Sequence, residues 1–93
     1  MVHLEMGVNF KFDEGRVYGS RYYTAQPLPD DTYYNIPWYD MMEWIEQSLG
    51  PSKDSIWFSN EKAPTPNERW YANNSKFWFR EKKDLEWFIL RWQ

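Results

Sequence analysis

Between residues 2 and 12 every even position is apolar: Val2, Leu4, Met6, Val8, Phe10 and Phe12. The odd positions are His3, Glu5, Gly7, Asn9 and Lys11. A period of two sends successive side chains to opposite faces, so this stretch predicts a strand with one buried face. Asp13-Glu14-Gly15 predicts a three-residue hairpin loop, with the glycine in the left-handed region. The chain then returns as a second strand over residues 16–25. That loop sets Phe12 opposite Arg16, Phe10 opposite Tyr18, Val8 opposite Ser20 and Met6 opposite Tyr22. Residues 26–35 hold Pro27, Pro29, Asp30 and Asp31 and predict a loop.

The period then changes. Trp38, Met41, Met42, Ile45 and Leu49 recur at helical spacing, with Asp40, Glu43, Glu46 and Gln47 on the other side and Trp44 on the flank. Pro37 suits the first turn, and Gly50-Pro51 stops the helix. Residues 56–59 (Ile-Trp-Phe-Ser) predict a short strand, and residues 59–68, with Pro64 and Pro66, a second loop. Residues 69–80 predict a hairpin turning on Asn73-Asn74, because asparagine tolerates positive φ. Residues 81–92 predict a terminal helix with Leu85, Phe88, Ile89 and Trp92 on one stripe.

The order β-β-α-β-β-β-α predicts an α+β fold, a two-layer sandwich of an antiparallel sheet with both helices on one face. A ferredoxin-like arrangement is the alternative. Ninety-three residues make a single domain, 1–93, with one modest core. Composition sharpens what that core contains. Mean hydropathy is -0.90, yet 22% of residues are aromatic, so Trp, Tyr and Phe replace aliphatic side chains inside.

The same hairpin gives a first candidate surface. With the turn at Asn73-Asn74, Trp70, Ala72, Phe77 and Phe79 share an apolar face, and Arg69, Tyr71, Lys76, Trp78 and Arg80 share the other. The second set interleaves cations with flat rings, the chemistry of a single-stranded nucleic-acid-binding sheet face. Equally, Arg69 opposite Trp78 and Lys76 opposite Tyr71 are cross-strand cation–π pairs that need no ligand. A second candidate lies behind the terminal helix. Trp87 and Leu90 stand with Lys83 opposite the core stripe, and Trp44 extends the same surface. A Trp beside a Leu on a polar face predicts a protein contact, here a homo-oligomer seam; the other reading is a helix buried on both sides.

Catalytic chemistry finds little support. There is no cysteine, His3 is the sole histidine, and the four glycines are isolated, so no triad, transition-metal site or phosphate-cradling loop is expected. The acids Asp13, Glu14, Asp30 and Asp31 read as turn residues. Asn73-Asn74-Ser75 matches a glycosylation sequon but reads as turn chemistry. No enzyme, no cofactor and no metal are therefore expected. No apolar run approaches ~18 residues and no signal peptide is evident, so a cytoplasmic protein without membrane contact is expected. A net charge of -3 gives no support for duplex nucleic acid.

Residues 76–92, from Lys76-Phe-Trp-Phe-Arg80 into Asp84-Leu85 and on to Trp92, resemble the closing strand–helix of small uncharacterised proteins of tailed, T4-like marine phages. There an aromatic strand ending in Phe-Arg or Phe-Lys leads into an Asp-Leu-x-x-Phe-x-Leu helix. The resemblance implies a viral source, and hence the host cytoplasm, but no activity or site residues. The strand is also similar to the aromatic strand of RNA-recognition domains, without the glycines of their Gly-Phe-Gly/Ala-Phe signature.

The expectation is thus a small, non-enzymatic protein-interaction module that self-associates, with single-stranded nucleic-acid binding as the alternative.

Overall fold

The computed structural model of the chain describes residues 7–29, 36–54 and 67–93. Within them run β1 (Asn9–Val17), β2 (Ser20–Leu28), α1 (Trp38–Leu49), β3 (Trp70–Asn73), β4 (Lys76–Phe79) and α2 (Lys82–Trp92). The four strands form one antiparallel sheet in the order β1-β2-β4-β3. Both helices contribute to a single core against one face of it, giving a two-layer α+β sandwich. The strand expected at residues 56–59 lies outside the described residues, as do His3 and the apolar positions 2, 4 and 6. The ferredoxin-like alternative is not realised: residues 9–28 form a true two-stranded hairpin, so the described elements run ββαββα.

The first hairpin turns at Tyr18-Gly19, not at residues 13–15, which continue β1. Tyr18 (φ 50°) and Gly19 (φ 84°) both take positive φ, as a two-residue turn matched to strand twist demands. The register therefore joins Phe12 to Ala25, Phe10 to Pro27 and Gly15 to Tyr22. Relative to the expected pairing the offset is odd, so Tyr23, Ala25 and Pro27 share a face with Phe10 and Phe12. Tyr22 goes to the opposite side. Pro27, expected in a loop, sits inside β2. It is tolerated because β4 pairs with β2 only over Tyr23–Ala25, leaving the far edge at Pro27 without a ladder partner.

The second hairpin also turns one residue later than expected, on Asn74 (φ 52°) and Ser75 (φ 61°). Tyr71 then meets Trp78 and Trp70 meets Phe79. Each residue's partner moves by two, so the division between faces survives.

Periodicity places the helices well. Met41, Met42, Ile45 and Leu49 are buried, and Trp38 stacks on Phe77 with centroids 4.2 Å apart. Pro37 accepts from the Met41 N–H at 3.0 Å, and Gly50 closes the helix at φ 90°. On α2, Glu81 is the extended N-cap, Asp84 lies in the first turn and Arg91 in the last, each favourable to the helix dipole. Leu85 and Phe88 are buried, with Ile89 and Trp92 packed beside them. The Phe88 ring lies 5.3 Å from Phe10 and 5.2 Å from both Phe77 and Phe79, and Trp44 approaches at 6.3 Å. Trp70 is fully buried, and its indole N–H donates to the Gly50 carbonyl at 2.8 Å. That bond ties β3 to the end of α1. Beyond β1, the Val8 N–H donates to the Trp92 carbonyl at 2.8 Å and joins the sheet to the end of α2.

Candidate interaction surface

The sheet face away from the helices holds the basic–aromatic set, but not as an open array. Tyr71 is only 5% exposed, and its ring lies 5.5 Å from that of buried Tyr22. Trp78 is partly buried. Its indole reaches from the Asn73 carbonyl, 3.4 Å from Nε1, to Gly15. A Cβ at Gly15 would stand 2.6 Å from Trp78 Cζ3, so this glycine makes room for an indole rather than a turn.

The cations are occupied differently from the expected pairs. Arg69 does not cover Trp78. Its Nη2 donates to both carboxylate oxygens of Asp84, at 3.2 and 3.3 Å. Lys76 lies 5.6 Å from the Trp78 ring instead of covering Tyr71, and Arg80 lies 5.9 Å from the Tyr22 ring. Such contacts contribute roughly 0.5–1 kcal/mol each at exposed sites. Of the five residues Tyr71 is closed off, and Arg69, though half exposed, is held by Asp84.

Asp84 is the buried charge that periodicity did not single out, at 4% exposure. Its position in the first turn of a helix directly after a strand was the available signal, because a carboxylate there interacts with free backbone N–H groups.

Tyr71 brings a titration to the same face. Burial, followed by the neighbouring Tyr22 phenol, pushes its pKa from 10.0 up to about 12. The Tyr22 hydroxyl donates to the Glu68 carbonyl at 2.7 Å, and the Tyr71 hydroxyl lies beside the Tyr22 phenol. The folded chain thus keeps a proton that the unfolded chain releases above pH 10. This contribution to stability is intact below pH 10 and is lost as pH rises towards 12. Tyr71→Phe is expected to change stability at pH 8 little, since it keeps the buried ring. It should also flatten the decline between pH 10 and 12. Urea midpoints at pH 8 and pH 11 measure both, and an equal alkaline loss in the two proteins would refute the assignment.

The helix layer is the more open surface. The Trp44 and Trp87 rings meet edge to face at 5.6 Å and 72°, joining the flank of α1 to the back of α2. Trp44 is partly buried by this contact and by Phe88. Trp87 remains 48% exposed and Leu90 84%. The three residues grouped from sequence are thus distributed in two ways: Trp44 and Trp87 touch, and Leu90 projects farthest into solvent, on the side of α2 that carries Lys83.

Beside this seam an open cleft of about 490 Å³ separates Asp40, Glu43 and Gln47 on α1 from Arg91 and Trp92 on α2. The Arg91 guanidinium stacks on the Trp92 ring at 4.1 Å. Charge is divided between the helices. The charged side chains of α1 are all acidic, Asp40, Glu43 and Glu46. In α2 the exposed charges are Lys82, Lys83 and Arg91 against Glu86, with Asp84 buried.

Among the described residues no helix is long and apolar enough to cross a membrane. Comparison with protein-family models, with curated proteins and with solved structures finds no match for the chain.

Proposed function

We propose that this protein is a non-enzymatic protein-interaction module whose contact surface is the helix layer around Trp44, Trp87 and Leu90. The observation that carries this reading is the half-exposed Trp87, braced by Trp44, next to the almost fully exposed Leu90. A large ring held in place and only partly covered loses little rotamer freedom on binding, and Trp is a preferred interface anchor. The sheet face supports nucleic acid less well. Tyr71 is buried there, Arg69 is held by Asp84, and the remaining cations lie over the protein's own rings.

A photo-crosslinking amino acid at position 90 tests the reading in the cells that produce the protein. The control is position 18, where Tyr18 is equally exposed at 84% but lies in the β1–β2 turn. Position 90 is expected to give discrete protein adducts in clear excess over position 18. Equal yields at the two positions would rule out the helix layer as the contact surface.

A further inference from the structure

Resting on the reading of the helix layer as a contact surface, we infer that its occupant is a second copy of this chain, related by a two-fold axis running along the α1–α2 seam. Each helix lacks what the other presents. The charged side chains of α1 are all acidic; α2 shows Lys82, Lys83 and Arg91 against the single exposed acid Glu86. Between them runs the Trp44–Trp87 seam, with Leu90 projecting beside it.

The geometry of a two-fold axis does the rest. An axis along the seam lays α1 of one copy over α2 of its partner, and the reverse contact follows by symmetry. Acidic Glu43 and its neighbours then face the basic side of α2 twice over, and Trp87 and Leu90 are covered at the centre. The other face-to-face arrangement, with the axis across the helices, would set α1 against α1 and bring acid to acid. Like charges placed opposite one another suppress that pairing.

Charge reversal tests both the partner and the geometry. Asp40→Lys with Glu43→Lys reverses α1 at its two exposed acids, taking the helix from three negative charges to a net positive one. Lys82→Glu with Lys83→Glu reverses the start of α2, where acidic residues suit the helix dipole. By sedimentation at low salt, wild type is expected to self-associate, and each double variant to do so at least about tenfold more weakly. Mixing the two double variants should restore association to near wild type, because every α1–α2 contact in the mixed pair is again between opposite charges. Combining all four substitutions in one chain should restore it as well. Circular dichroism of each variant confirms that the fold is kept.

A wild type that stays monomeric at millimolar concentration would overturn the inference. So would variants that associate as wild type does, or a mixture no stronger than its components. A position-90 adduct of mass other than twice the chain would also overturn it, while leaving the helix layer as a contact surface for a different protein. Equal crosslinking at positions 90 and 18 would instead remove the surface itself.

Discussion

Phe88→Ala is expected to remove about 3–5 kcal/mol of stability, the range for deleting a buried aromatic side chain. Phe88 is fully buried and joins every layer: Phe10 from β1, Phe77 and Phe79 from β4, and Trp44 from α1 all lie around its ring. These neighbours are themselves large and flat, and several are held on different elements. They cannot all shift into the space left behind, so the cavity term is retained along with the lost transfer energy. A domain of this size has roughly 5–15 kcal/mol of stability in total. The variant is therefore expected to keep its fold at low temperature but to unfold at a much lower urea midpoint. Phe88→Leu should recover a large part of the loss. A midpoint for Phe88→Ala within about 1 kcal/mol of wild type at unchanged m-value would contradict the central position given to this ring.

Trp70→Ala is expected to cost at least as much. Trp70 is the largest fully buried side chain described, and it adds a hydrogen bond from its indole to the Gly50 carbonyl at 2.8 Å. Two variants separate the contributions. Trp70→Phe keeps much of the ring burial and loses the donor, leaving the carbonyl that follows α1 unpaired; this part should be about 1–3 kcal/mol. Trp70→Ala adds the cavity. If the bond matters, amide exchange near the end of α1 should accelerate in Trp70→Phe more than in the sheet. Uniform acceleration across the chain would show that the indole acts by volume alone.

The helices were legible because their period leaves little choice. Met41, Met42, Ile45 and Leu49 fall on one side of α1, and no other phase buries them together. The hairpins were less so, because a strand's partner is decided by a turn two residues long. Asp13-Glu14-Gly15 carries the more familiar turn composition, yet the chain turns at Tyr18-Gly19. What outweighs it is tertiary: a turn at residues 13–15 would remove Gly15 from under Trp78 and Ala25 from beside Phe77. In the second hairpin the composition points to Asn73-Asn74 and the chain turns on Asn74-Ser75, yet the division between faces is the same. Parity is preserved when each partner moves by two.

The candidate sites divide along the same line. Trp87 and Leu90 are exposed as their helical phase requires. For the sheet, phase could assign Arg69, Tyr71 and Trp78 to a side, but not say whether that side was open. Tyr71 is buried there, and Arg69 turns to a carboxylate fifteen residues on, marked in the sequence only by its place in the first turn of α2. Burial on the second face of a sheet is decided by what else packs nearby, and that is not written in a strand's own alternation.

The edge-to-face contact of Trp44 and Trp87 has an optical consequence. Two indoles held 5.6 Å apart at 72° are close enough for their excited states to couple. Such coupling gives a paired positive and negative band in circular dichroism that neither ring produces alone. The seam between the helices thus carries its own reporter, sensitive to the angle between the rings. A partner that covers Trp87 without touching the sheet would register there first.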